Sequence, residues 1–147
     1  NAYDIDAMLG GHHAILAKLN MITQRLNDNT QKNGVSNKER EVFTTLEVAL
    51  EMCLRGYRFS NLSLVHSQAT LFIKDPNDAL ALIPPFIVLE GLGENVGRSI
   101  VDARNQLSFL SKEDLQNRTQ LNYNHIKRLD ELNVLQGLQE SNQASLF

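Results

Sequence analysis

The chain is short of several things that would otherwise fix its class. Its 147 residues hold a single cysteine, Cys53, so no internal disulfide can form, which fits a cytoplasmic protein. No apolar run approaches the roughly 20 residues of a membrane span, and no secretory leader is recognisable, so no membrane partner is expected. There is no basic excess either: 14 Lys and Arg stand against 17 Asp and Glu, a formal net charge of −3. Proteins that hold phosphate usually carry a positive balance. Any nucleic-acid contact must therefore rest on aimed backbone amides and a few placed cations. The three prolines, Pro76, Pro84 and Pro85, all precede the glycine turn described next. With 42% hydrophobic and 21% charged residues the chain can still be globular. A chain of this size buries roughly two-thirds of its unfolded surface.

What is present is organised around Leu89-Glu90-Gly91-Leu92-Gly93-Glu94-Asn95-Val96. In front of it lies the apolar run Ile83-Pro84-Pro85-Phe86-Ile87-Val88, and behind it a helix-like run from Val96 to Arg104. Pro84-Pro85 suits the first turn of a short helix that ends at the glycines. Gly91 and Gly93 are read as residues free to take φ > 0 and to leave room for close approach. The following helix starts with unpaired amides, and bare N–H groups at a helix start attract phosphate. Val96, Ile100, Val101 and Ala103 are expected inside, with Arg98 and Arg104 outside. This pattern predicts a hairpin that holds a nucleic-acid backbone without reading bases.

The first third reads as two helices. Ile15, Leu19, Ile22 and Leu26 recur at helical spacing after Gly10-Gly11. A polar loop from Asn27 to Val35 follows, then a capping box, Ser36 with Glu39. Val42, Leu46, Ala49, Leu50 and Cys53 line one face as far as Gly56, a helix stop. The adjacent His12 and His13 point to different faces and make a poor metal pair. Cys53 reads as a small buried hydrophobe. From Tyr57 the pattern changes: Thr70–Ile73 and Ala79–Ile83 are β-prone runs around Lys74-Asp75-Pro76-Asn77-Asp78, a turn by its chemistry, so a small β-hairpin is expected.

After Arg104 a second unit of similar size follows. Ser111 serves as N-cap ahead of Lys112-Glu113-Asp114-Leu115, and Thr119-Gln120-Leu121-Asn122 forms a short connection without glycines. A helix then places Ile126 and Leu129 inside and Lys127 and Arg128 outside. The two units together make a pseudo-symmetric module. The chain closes on Ser141-Asn142-Gln143-Ala144-Ser145-Leu146-Phe147, where Leu146 and Phe147 suit a partner's pocket and Gln143 a hydrogen bond at its rim.

Taken together, Thr45-Leu46-Glu47-Val48-Ala49-Leu50-Glu51-Met52, Ile83-Pro84-Pro85-Phe86, Gly91-Leu92-Gly93, Phe109-Leu110-Ser111-Lys112-Glu113-Asp114-Leu115 and Gln143-x-x-Leu146-Phe147 carry a resemblance. From about Tyr3 to Phe147 the sequence resembles the C-terminal end of the PolC-type DNA polymerase III alpha chain of low-GC Gram-positive bacteria. The resemblance implies a mainly α fragment in three parts. Residues 3–83 would end the fingers region, with helices and a small β-hairpin. Residues 84–135 would form a tandem helix-hairpin-helix module on double-stranded DNA. Residues 136–147 would be a flexible tail for the sliding clamp, the beta subunit. In that family the palm carboxylates that hold Mg²⁺, the exonuclease and the zinc cysteines lie upstream. No catalytic residue, metal ligand or cofactor is expected within this chain, so Mg²⁺ and Zn²⁺ are implied only for the whole polymerase. The family's tail usually has leucine where this chain has Ala144.

The candidate DNA-binding residues are Gly91, Leu92, Gly93, Asn95, Val96, Arg98, Ser111, Lys112 and Lys127, and the candidate clamp-binding residues are Gln143, Leu146 and Phe147. A helix-hairpin-helix DNA glycosylase would need a Gly/Pro run and a catalytic Asp after the hairpin, and no proline follows it here. A non-enzymatic adaptor whose hairpin binds protein or DNA is the alternative. Salt-dependent duplex binding separates the polymerase reading from an adaptor whose hairpin binds protein, because phosphate contact gives a steep salt slope.

Overall fold

The computed structural model describes residues 2–28 and 34–141. The fold is mainly α with a small three-stranded sheet. It falls into two compact units, Asn1–Ser60 with Lys74–Leu82, and Asn61–Ile73 with Ile83–Phe147.

The first unit begins with α1 (Ile5–Leu9), which Asp4 caps by accepting from the Ala7 amide at 3.0 Å. Five residues are too few to show a helical period, so the sequence pattern does not reveal this helix. Helix α2 (His12–Asn27) buries Ile15, Leu19 and Ile22, while Leu26, expected on the same stripe, is exposed near the helix end. Helix α3 (Asn37–Leu54) starts as the sequence implies, with Ser36 Oγ accepting from the Glu39 amide at 3.2 Å. The Glu39 carboxylate instead pairs with Arg25 of α2. Val42, Leu46 and Ala49 face inward, and Gly56, at φ 95°, closes the helix. Cys53 is half-buried, and burial pushes its thiol pKa up. His12 and His13 are exposed, their ring centroids 3.9 Å apart. Among the described residues no three His, Cys, Asp or Glu side chains gather to hold a metal.

The expected hairpin is present but shifted. Strands β2 (Ile73–Asp75) and β3 (Asp78–Ile83) flank Pro76-Asn77, and Asp75 Oδ1 accepts from the Asn77 amide at 2.9 Å. That side-chain turn ends the strand at Asp75, two residues beyond the β-prone run Thr70–Ile73. A third strand, β1 (Arg58–Phe59), pairs parallel to β3 with Arg58 opposite Ala81 and Phe59 opposite Leu82, giving the order β1-β3-β2. Arg58 also forms an ion pair with Asp78.

The second unit contains a 3₁₀ turn (Phe86–Val88) and helices α4 (Glu94–Gln106), α5 (Lys112–Arg118) and α6 (Tyr123–Glu131). Pro85 sits just outside the 3₁₀ turn as its cap, so the short helix expected there is a single turn. Phe86, Val88, Leu89, Ile100, Leu115, Leu129 and Leu135 are among its most enclosed apolar side chains. The stretch from Asn61 folds back along this module. The Phe86 and Ile87 amides donate to the carbonyls of Gln68 and Ala69 at 2.9 and 3.2 Å. Gly97 of α4 is buried against Ala69, where a Cβ would come 3.3 Å from the Ala69 Cα. Val96 and Val101, expected inside, are only half-buried, because Gly97, Ile100 and Ala103 form the inner face.

Arg104 corrects a second expectation. It points inward and donates to the carbonyls of Leu64, at 3.2 Å, and Ser67. Partial burial of the guanidinium lowers its pKa. The returning loop brings unpaired carbonyls over what a helical wheel alone presents as a solvent face.

Candidate nucleic-acid interface

Helix α4 begins at Gly93, which has no side chain with which to cap it. The first intrahelical bond runs from the Gly97 amide to the Gly93 carbonyl at 3.0 Å. The amides of Glu94, Asn95 and Val96 therefore stand ahead of the ladder, without a partner among the described residues. Gly91 has φ 79°, a left-handed conformation that costs glycine little. Gly93, read from sequence as another left-handed position, has φ −84° and ψ 174°, ordinary extended backbone. Its importance is spatial: a Cβ built there meets nothing within 4 Å, so the hairpin opens onto free space in front of the helix. Leu92 takes no part in that opening. Its side chain is buried and its amide donates to Leu89 O at 3.1 Å. Asn95 and Arg98 are exposed, and Arg98 pairs with Glu94 one turn back, its Nε at 3.1 Å. Both partners are well exposed, so solvent screens the pair and it is worth little.

The second hairpin is built differently at its polar positions. Asn122 Oδ1 accepts from the His125 amide at 2.9 Å, and the Asn122 amide donates to His125 Nδ1 at 3.1 Å, a reciprocal cap of α6. The apolar framework is nonetheless shared. Phe86, Leu92, Ile100 and Ala103 are buried, and so are Leu115, Leu121, Leu129 and Leu132, each 29 positions later. In that register Gly91 corresponds to Gln120 and Val96 to His125. The two corresponding hairpin residues are held in a crossed manner: Ser99 Oγ of α4 accepts from the Gln120 amide at 3.0 Å, and His125 Nε2 of α6 lies 3.0 Å from Gly91 O. His125 lies outside the residues that the sequence pattern singles out. Its signal in the sequence is the Asn122-x-x-His125 spacing, where a capping box would have Glu or Gln.

Two other candidates are diverted. Ser111 is fully buried as the N-cap of α5, its Oγ accepting from the Asp114 amide at 2.9 Å. Lys112 lies between Asp130 at 3.1 Å and Glu140 at 2.8 Å. Hydrogen bonds to Glu140 and Asp130 raise its pKa. Lys127 is exposed and has no ion-pair partner among the described residues. The segment after α6 is less free than its polar composition implies. The Lys112 and Glu113 amides donate to Gln139 O and Glu140 O at 2.8 and 3.0 Å, because the first turn of α5 needs acceptors that this segment supplies. Gln143, Leu146 and Phe147 lie outside the described residues.

Residues 56–145 match a family model described as a helix-hairpin-helix motif. Across 146 residues, 99% of this chain, the sequence is 42% identical to the DNA polymerase III PolC-type of Streptococcus thermophilus and to that of Streptococcus mutans serotype c. It is 40% identical over the same share to that of Streptococcus pneumoniae. The chain spans 10% of the length of each of these relatives.

Proposed function

The chain belongs to the helix-hairpin-helix family, and from that premise we propose that it grips the DNA duplex within a PolC-type DNA polymerase and tethers the enzyme to its sliding clamp. The observation that carries this reading is the uncapped start of α4 behind the left-handed Gly91. Amides that point into open space ahead of a helix favour an anion through hydrogen bonding and the helix dipole together. A backbone phosphate fits that geometry, and it gives grip without base recognition. Gly91, Gly93, Asn95 and Val96 would surround the phosphate, with Arg98 and Lys127 as the cations able to join them. Ser111 is fully buried as the cap of α5, and Lys112 is already paired with two carboxylates.

DNA-directed DNA synthesis, a nucleotidyl transfer in the cytoplasm, would belong to the whole polymerase. The metals implied for that polymerase find no gathered ligand set among the described residues, so no step of this reading runs through a metal here. The clamp contact rests on Gln143, Leu146 and Phe147. Gln139 and Glu140 are pinned to α5, so the part of the tail that reaches the clamp would lie beyond them.

The formal charge of −3 and the diverted Lys112 are what favour the adaptor reading, in which the hairpin binds protein. Titration of the chain with two duplexes of unrelated sequence over a range of salt decides between them. Equal affinity for both, with log affinity falling linearly as log salt rises, supports phosphate contact. A salt-independent or absent interaction contradicts it.

A further inference from the structure

His125 carries a role that the site description above leaves unused. Its Nδ1 accepts from the Asn122 amide at 3.1 Å, so the ring proton must sit on Nε2, which donates to Gly91 O at 3.0 Å. That carbonyl belongs to the peptide joining Gly91 to Leu92. The same peptide's N–H, on Leu92, donates in the opposite direction to Leu89 O at 3.1 Å. A trans peptide is planar with its C=O and N–H antiparallel, so the plane is held at both ends. One end is tied within its own hairpin and the other by the neighbouring one. This matters because Gly91 sits at φ 79°, where glycine passes easily between backbone regions. Rotation of the 91–92 peptide would redirect the chain entering Gly93 and the uncapped start of α4.

We propose that His125 is a positioning residue for anion binding at the first hairpin: its Nε2–H locks the Gly91–Leu92 peptide so that the amides ahead of α4 face a phosphate. The second, glycine-free hairpin then shapes the anion site of the first through this bond, in addition to the cation that Lys127 of α6 offers. Its capping residue doubles as the clasp of the first. The proposal rests on the phosphate reading of the hairpin given above.

Two substitutions separate the two bonds of the imidazole. In His125→Asn the side-chain oxygen falls where Nδ1 stands, so the cap on α6 is kept and the donor to Gly91 is lost. In His125→Gln the longer amide restores a donor at the Nε2 position. The full chain and both variants are titrated with a 20-base-pair duplex at low salt, and melting is followed in parallel. Losing one neutral hydrogen bond predicts binding about 3–10-fold weaker for His125→Asn at near-unchanged melting temperature, with faster hydrogen exchange at the Leu92 amide. His125→Gln should recover most of the affinity. Unchanged affinity in the Asn variant overturns the proposal, as does equal loss in both variants. If the Asn variant is unfolded, the Gln variant decides: retained affinity supports the clasp, and lost affinity at the normal melting temperature overturns it. If the unaltered chain binds no duplex at all, the phosphate reading falls, and this proposal with it.

Discussion

His125 Nε2 lies 3.0 Å from the carbonyl oxygen of Gly91, 34 positions earlier, and this contact joins the α6 cap to the hairpin that opens α4. Ser99 returns the arrangement by accepting from Gln120 at 3.0 Å. Each hairpin is thus tied to the helix that follows the other.

The cations of this unit are not equivalent. Arg98 is held only by an exposed partner and Lys127 by none among the described residues, whereas Lys112 is enclosed by Asp130 and Glu140. Arg98→Ala and Lys127→Ala should each reduce the slope of log affinity against log salt by about one. Lys112→Ala should leave that slope unchanged. Duplex titrations at four or five salt concentrations measure this, and a larger slope change for Lys112 than for Arg98 would reverse the assignment.

Gly97 tests the packing that supports the site. A Cβ there would stand 3.3 Å from Ala69 Cα and 3.4 Å from Ala69 O. Gly97→Val must push α4 away from the Gln68–Ala69 backbone, at an expected cost of about 1–3 kcal/mol. Denaturant unfolding measures it, and a variant as stable as the parent would mean that this face is looser than described.

Asp114 gives the acid side of the stability profile a local cause. The Leu110 amide donates to it at 2.9 Å and Arg118 Nη1 at 2.9 Å, and chiefly the backbone bond lowers its pKa. A lowered folded-state pKa adds stability that is present above the unfolded carboxylate's value, near 3.9. That stability is lost as pH falls through the folded value. The stability gap between parent and Asp114→Asn should be widest near neutrality and close below about pH 4. Melting curves from pH 7 to pH 2 check this, and a constant gap would remove Asp114 as the cause.

Much of this fold is legible from sequence where the governing contact is local. Ser36 and Ser111 cap their helices as the spacing implies, Gly56 stops α3, and Pro76-Asn77 turns the β-hairpin. Readings fail where a distant segment returns. Nothing near Arg104 announces that the carbonyls of Leu64 and Ser67 will cover it. Nothing near Lys112 announces Glu140, and periodicity cannot show that Arg58-Phe59 pairs with Ala81-Leu82. The hairpin itself is legible from Gly91-Leu92-Gly93, but the two glycines serve different ends. Gly91 is needed for its positive φ and Gly93 for the space in front of it.

The tail is tested on the whole chain. Leu146→Ala combined with Phe147→Ala should abolish binding to a purified sliding clamp while leaving the melting temperature nearly unchanged, because the anchors are expected to fill a pocket on the partner. Where clamp and hairpin hold the same duplex, linkage should raise avidity by about 10²–10⁴. A marked fall in melting temperature would place these side chains in the core instead, and unchanged clamp affinity would remove the motif.

The most direct test of phosphate binding at the first hairpin is Gly93→Val. The site has extended backbone and nothing within 4 Å of a Cβ, so the protein can accept the side chain without strain. The added bulk would stand in the space assigned to the phosphate. Duplex affinity and melting temperature are measured together at low salt. The expected result is binding weakened by roughly tenfold or more, about 1.4 kcal/mol, at a melting temperature close to the parent's. A folded Gly93→Val variant that binds duplex with unchanged affinity and salt dependence would contradict the assignment.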